Sequence, residues 1–98
     1  MTLVYLEEAR HELLDSVAYY DACADGLGRR FFNEVQAGEE AILRWPEAWG
    51  QVGGGFRRKL LDRFPYGLVY HVPANDVVEV VAVMHLHREP GYWRQRMK

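Results

Sequence analysis

The sequence predicts an α+β domain, and the spacing of its apolar residues is what predicts it. The N-terminal half carries apolar positions at helical spacing, the C-terminal half carries alternating ones, and the breaks fall at Gly, Pro, Asn or Asp. The predicted order is β-α-α-β-β-β, an antiparallel sheet with an N-terminal helical hairpin packed on one face. Ninety-eight residues, nearly half of them apolar, suit one core, so 1–98 reads as a single domain.

"TLVYL" (Thr2 to Leu6) is a β-prone run and reads as a strand. From Glu7 the period changes: Leu6, Ala9, Leu13, Val17 and Tyr20 share one helical face, with Glu7 and Glu8 suited to the positive end of the helix dipole. "ADGLG" (Ala24 to Gly28) is turn chemistry. A second helix is expected from about Leu27 to Arg44, with Phe31, Val35, Ile42 and Trp45 as its apolar stripe and Pro46 ending it. Gly38 inside that helix costs about 1 kcal/mol against Ala, so either packing is close there or the helix is locally weak. The short connection predicts an antiparallel hairpin.

Gly50 to Gly55, "GQVGGG", reads as too glycine-rich for regular structure. Three strands are expected after it: Phe56 to Arg63, Tyr66 to Val72, and Val77 to about Leu86, joined by turns at "FPYG" and "PAND". Strict alternation puts Val78, Val80, Ala82, Met84 and Leu86 on one side of the last strand, against Val77, Glu79, Val81, Val83, His85 and His87. Placing Leu60 toward the helices sends Arg57, Lys59 and Arg63 to the opposite, uncovered face, where His71, His85 and His87 would join them.

Charge supports that picture. The net charge is −2, yet residues 1–50 carry ten acidic and four basic side chains, and residues 51–98 carry four acidic and eight basic ones. An anionic partner belongs on the basic half, although four cations on a strand also suit a merely solvated edge. No apolar run approaches the roughly 20 residues of a spanning helix. The N-terminus lacks a basic segment followed by an apolar stretch, so a cytoplasmic location is expected. Cys23 is the only cysteine, which excludes an internal disulfide and a multi-cysteine zinc site. His85 and His87 have no acidic or cysteine companion at a ligand spacing, so no metal and no cofactor are expected.

Four fragments in order carry a family resemblance: "ARHEL" leading into "AYY", "GLGRRF", "FPYGLVY" and "HLHREPGYW". They resemble the RelE/ParE superfamily of toxins from bacterial type II toxin–antitoxin modules, which includes plasmid stabilisation proteins, and the similarity runs from Glu7 to Arg96. The resemblance implies a cognate antitoxin as partner, and the helical aromatics Tyr19, Tyr20, Phe31 and Phe32 read as core or as its binding surface. It also implies one of two targets. RelE-like members cut messenger RNA on the ribosome, with cations and a terminal tyrosine on the sheet; ParE-like members inhibit DNA gyrase.

For the nuclease, the resemblance assigns His85, Arg88 and Tyr92 to catalysis. For target or nucleic-acid binding, the predicted uncovered face offers Arg57, Lys59, Arg63, His71 and His87. Aligned without gaps, the position of the nuclease arginine falls on Leu86, and "AVMHLHR" is at least as close to a ParE-like ending. The gyrase inhibitor is therefore the favoured reading. The ribosome-dependent endonuclease and a non-toxic, antitoxin-binding relic are the alternatives.

Overall fold

The computed structural model describes residues 1–97. A first strand β1 (Thr2–Tyr5) leads into helices α1 (Glu7–Cys23) and α2 (Leu27–Arg44), followed by strands β2 (Gly50–Gly53), β3 (Phe56–Leu60), β4 (Tyr66–Ala74) and β5 (Val77–His85). A 3₁₀ segment, Tyr92–Met97, closes the described chain. The sheet runs β1-β5-β4-β3-β2. β1 lies parallel to β5, and every other neighbour is antiparallel. The α+β class and the order of elements are as predicted. The parallel edge strand, a fifth strand and the C-terminal segment are additions.

The helical hairpin forms where its apolar positions require. Ala9 and Leu13 of α1 and Phe31, Val35 and Ile42 of α2 are buried against Leu68, Tyr70, Val78, Val80 and Val83 of the sheet. Asp21 at the end of α1 accepts the Gly28 N–H at 2.9 Å, so α1 supplies a cap for one of the free donors that begin α2. Gly38 answers the question its position raises. A Cβ built there would lie 3.1 Å from Leu68 Cδ1 and 3.4 Å from Leu61 Cδ2. The glycine therefore marks a close approach of α2 to the sheet. Trp45 departs from its predicted stripe: it caps α2 and is 55% exposed, with the Arg44 guanidinium 5.4 Å above its ring.

The glycine-rich run corrects a second expectation. Gly50–Gly53 pairs with β3 as an edge strand, and Gly53, Gly54 and Gly55 take φ of 95°, 67° and 84°. The glycines thus supply a left-handed hairpin turn, and a strand leads into it.

A bulge in β5 decides which face each residue sees. Val69 pairs with Ala82 but Tyr70 pairs with Val80, so Val81 is the extra residue. Before it, Val78 and Val80 face the helices. After it, Val83 and His85 do, and Ala82 and Met84 turn to the other face. Strict alternation fails at that one residue.

The second face is not left open. Trp93 is 2% exposed and packs with Val69, Val81, Ala82 and Met84, flanked by Phe56, Tyr92 and Met97. Truncating a buried ring of this kind typically costs about 3–5 kcal/mol.

Gly38→Val is expected to destabilise the fold by about 1–3 kcal/mol through overpacking against Leu68. A lower urea midpoint at unchanged slope is the expected result. An unchanged midpoint would show that α2 does not rely on this close approach.

Candidate functional site

The basic strand is distributed otherwise than its alternation suggests. Arg57 pairs with Tyr70 and Lys59 with Leu68, so both project to the helix side, and Arg58 shares the other face with Phe56 and Leu60. The placement of Leu60 toward the helices is overturned: it is exposed on the opposite face, and Leu61 takes the core position. The cause is register, because Leu68 and Tyr70 are the bulkier burials available and β3 follows their phase.

Arg57 donates to the Trp49 carbonyl at 2.9 Å. Lys59 lies 4.5 Å over the Trp49 ring, a cation–π contact. Arg63 falls beyond β3, in the loop whose backbone N–H donates to Glu34 Oε1 at 2.9 Å. The three cations therefore do not meet on one face. On the second face, Arg58 lays its aliphatic stem against Gly67 and lines a shallow pocket with Arg94 and Trp93.

The histidines separate in the same way. His71 is on the second face, stacked on Phe56 at 4.7 Å, with its Nε2 2.8 Å from Glu79 Oε1. His85, past the bulge, lies on the helix side against Tyr66 at 5.0 Å, and its Nδ1 accepts the His87 N–H at 3.0 Å. His85 and Arg88 line a cleft of about 220 Å³ with Glu12, Asp15, Ser16 and Tyr66.

The helical aromatics split by depth. Phe31 is fully buried, so it presents no surface to a partner, which corrects its assignment as a contact residue. Tyr20 stands within the cluster it forms with Phe31, Phe64 and Tyr66, and burial pushes its hydroxyl up to about 12. Phe32 is half-buried beside the core. Tyr19 alone of the four is largely exposed, at 62%.

Glu12, on the sheet-facing side of α1, gathers the most chemistry. Its Oε1 accepts the Val83 N–H at 3.0 Å and Arg96 Nη1 at 2.9 Å. Its Oε2 accepts the Tyr92 hydroxyl at 2.6 Å and Arg96 Nη2 at 2.7 Å. Arg96 Nη1 also donates to the Val81 carbonyl at 2.9 Å. β1 ends opposite Val80, so these two side chains take up the β5 edge where the strand ladder stops.

Arg88 stands 3.8 Å over the Tyr92 ring and 3.7 Å from Glu12 Oε2. Burial, and then the bond to Glu12, holds the Tyr92 hydroxyl well above the ordinary tyrosine range. Leu86, at the nuclease-arginine position, is exposed on the loop after β5. Sequence reasoning did not single out Glu12 or Arg96: they lie 84 residues apart, and no local spacing joins them.

Chemically, the cluster around Glu12 is a closed network: its donors and acceptors are matched to one another, and Tyr92 is held as a proton donor to a carboxylate. Removing one member of this half-buried, hydrogen-bonded pair leaves the other short of a partner. Glu12→Ala is expected to cost about 1–3 kcal/mol in denaturant unfolding, and to loosen amide-exchange protection at Val83 first. A loss within experimental error would show that the network is incidental.

A second expectation concerns alkaline pH. Burial raises Tyr70 to about 12 and Tyr20 to about 12, and Tyr92 is raised by burial and Glu12. Groups whose folded-state values exceed the unfolded value of about 10 stabilise the protein fully below that pH. Their contribution is lost as pH rises from about 10 through 12. Tyrosinate absorbance should thus lag behind that of free tyrosine and appear together with unfolding. Ordinary titration of all six tyrosines in a folded chain would contradict the buried hydroxyls.

No protein-family model matches this sequence, and no curated protein matches it. Nine chains of solved structures match. One belongs to a structure described as a chromosomal ParDE TA system from P. aeruginosa, with a TM-score of 0.61 and 17% identity over 89% of this chain and 97% of that one. No helix among the described residues is long and apolar enough to cross a membrane. Two helices on a mostly antiparallel sheet, in this order, give the chain a ParE/RelE-like fold.

Proposed function

We propose that this chain is the toxin of a type II toxin–antitoxin pair, neutralised by a cognate antitoxin protein, and that it acts as a ParE-like inhibitor of DNA gyrase by binding alone. The likeness in fold to a chain of a ParDE TA system supports the pairing with an antitoxin. The Glu12 network is the observation that favours binding over RNA cleavage. Attack by a 2′-hydroxyl needs a base, an acid and cations free to meet a phosphorane. Here the Tyr92 hydroxyl and Arg96 are bonded to Glu12, Arg57 and Lys59 are engaged with Trp49, and Arg63 stands apart from them in the loop after β3.

Of the residues assigned to a target, Arg63 and His87 are the exposed ones. For the antitoxin, Tyr19 is the accessible ring, with Tyr20 at its flank. A cytoplasmic location fits both proposed partners. The endonuclease reading keeps one observation in its favour: Arg88 touches Tyr92 and lines one cleft with His85. A non-toxic antitoxin-binding relic is the third reading, from outside both activity classes.

Expression without antitoxin is expected to arrest growth, and the purified chain to inhibit supercoiling of relaxed plasmid by gyrase while translated messages stay intact. Inhibition should survive Tyr92→Phe. Discrete ribosome-dependent cuts that vanish in His85→Ala or Tyr92→Phe would install the nuclease instead. Folded protein without growth arrest would favour the relic. Co-expression with an adjacent small reading frame should yield a co-purifying complex.

A further inference from the structure

The hairpin's turn end brings together two arginines that are in no ion pair among the described residues. α2 opens with Arg29 and Arg30 and has no acidic residue in its first turn. Cations there stand at the helix end where the macrodipole favours anions. The loop after β3 brings Arg63 to the same place, its backbone held by Glu34. Arg30 and Arg63 line a cleft of about 690 Å³ with Leu27, Asn33, Glu34 and Phe64. Among the described residues, neither guanidinium is in an ion pair, in contrast to Arg88 and Arg96. The one carboxylate lining the cleft, Glu34, accepts the Arg63 backbone N–H.

We infer that this cleft binds an acidic peptide segment of a partner protein, with Arg30 and Arg63 holding its carboxylates and Leu27 and Phe64 receiving an adjacent apolar side chain. A guanidinium fork matches a carboxylate in two parallel hydrogen bonds. Phe64 and Leu27, both half-buried, add an apolar floor that a bare anion does not use. The surroundings select against a long polyanion. Residues 1–50 carry a net charge of −6, and Asp21 in the last turn of α1 and Asp25 in the turn between the helices precede the cleft residue Leu27. A phosphate backbone crossing this end would meet those carboxylates, whereas a short segment with one or two acids would not.

This site is independent of the toxin reading: peptide binding tests the cleft and co-purification tests the partner, so either can fail alone. The experiment is a nuclear magnetic resonance titration of the full chain with a blocked peptide alternating glutamate and leucine. Its glutamine twin and a single-stranded oligonucleotide serve as comparisons. The glutamate peptide is expected to bind saturably, with shifts centred on Arg30, Asn33 and Arg63, and to weaken with salt. Arg30→Gln and Arg63→Gln, both exposed and remote from the core, should each lose roughly tenfold in affinity with the fold unchanged. Equal binding of the glutamine twin, preferential binding of the oligonucleotide at this cleft, or unchanged affinity in the double variant would overturn the assignment.

Discussion

One carboxylate holds together three parts of this chain that the sequence keeps far apart. Glu12 belongs to α1, the N–H it accepts belongs to β5, and the guanidinium and hydroxyl it accepts belong to the C-terminal segment. β5 needs this help because β1 stops opposite Val80. Beyond that point an edge carbonyl and an edge N–H would stand without partners, a state that buried backbone groups avoid. Arg96 and Glu12 take the two places and neutralise each other. Their pairing also sets Tyr92 and Trp93 over the second face. A half-buried pair of this kind is favourable only when its remaining lone pairs and protons are satisfied, and here Val81, Val83 and Tyr92 satisfy them.

The bulge at Val81 has consequences of similar reach. It puts Val80 and Val83 on one face although they are an odd number of residues apart, so the strand contributes to both cores. It turns His85 toward α1 and away from His71. The register of β3, set by Leu68 and Tyr70, does the same to the cations by sending Arg57 and Lys59 to Trp49. A cationic face legible as one surface becomes two packing contacts and a loop. Arg63 instead lines a cleft at the start of α2 together with Arg30.

Helix boundaries were the most legible feature. Glu7, the Ala24–Gly28 turn and Pro46 bracket two amphipathic stretches, and α1 and α2 begin and end there. Local chemistry suffices in such cases, because a helix closes its own hydrogen bonds and needs only a stripe and two stops. Gly38 was legible as a question, and Leu68 supplied the answer. The glycine-rich strand was not legible, since its pairing with β3 comes from a neighbour and not from its own composition. Trp45 and Trp93 show the limit for large apolar residues: the first lies in the open and the second is the plug of a core, with nothing in their immediate neighbours to separate them.

By itself the sequence determined the class of the fold, the hairpin, four of the five strands to within a few residues, and the asymmetry of charge. Each follows from periodicity, turn chemistry or counting, which are local or additive properties. Tertiary structure decided which face each charge occupies, which aromatics are surface, and which residues meet at Glu12. Those outcomes depend on strand register, where a shift of one residue exchanges the faces, and on contacts 84 residues apart that no local pattern encodes.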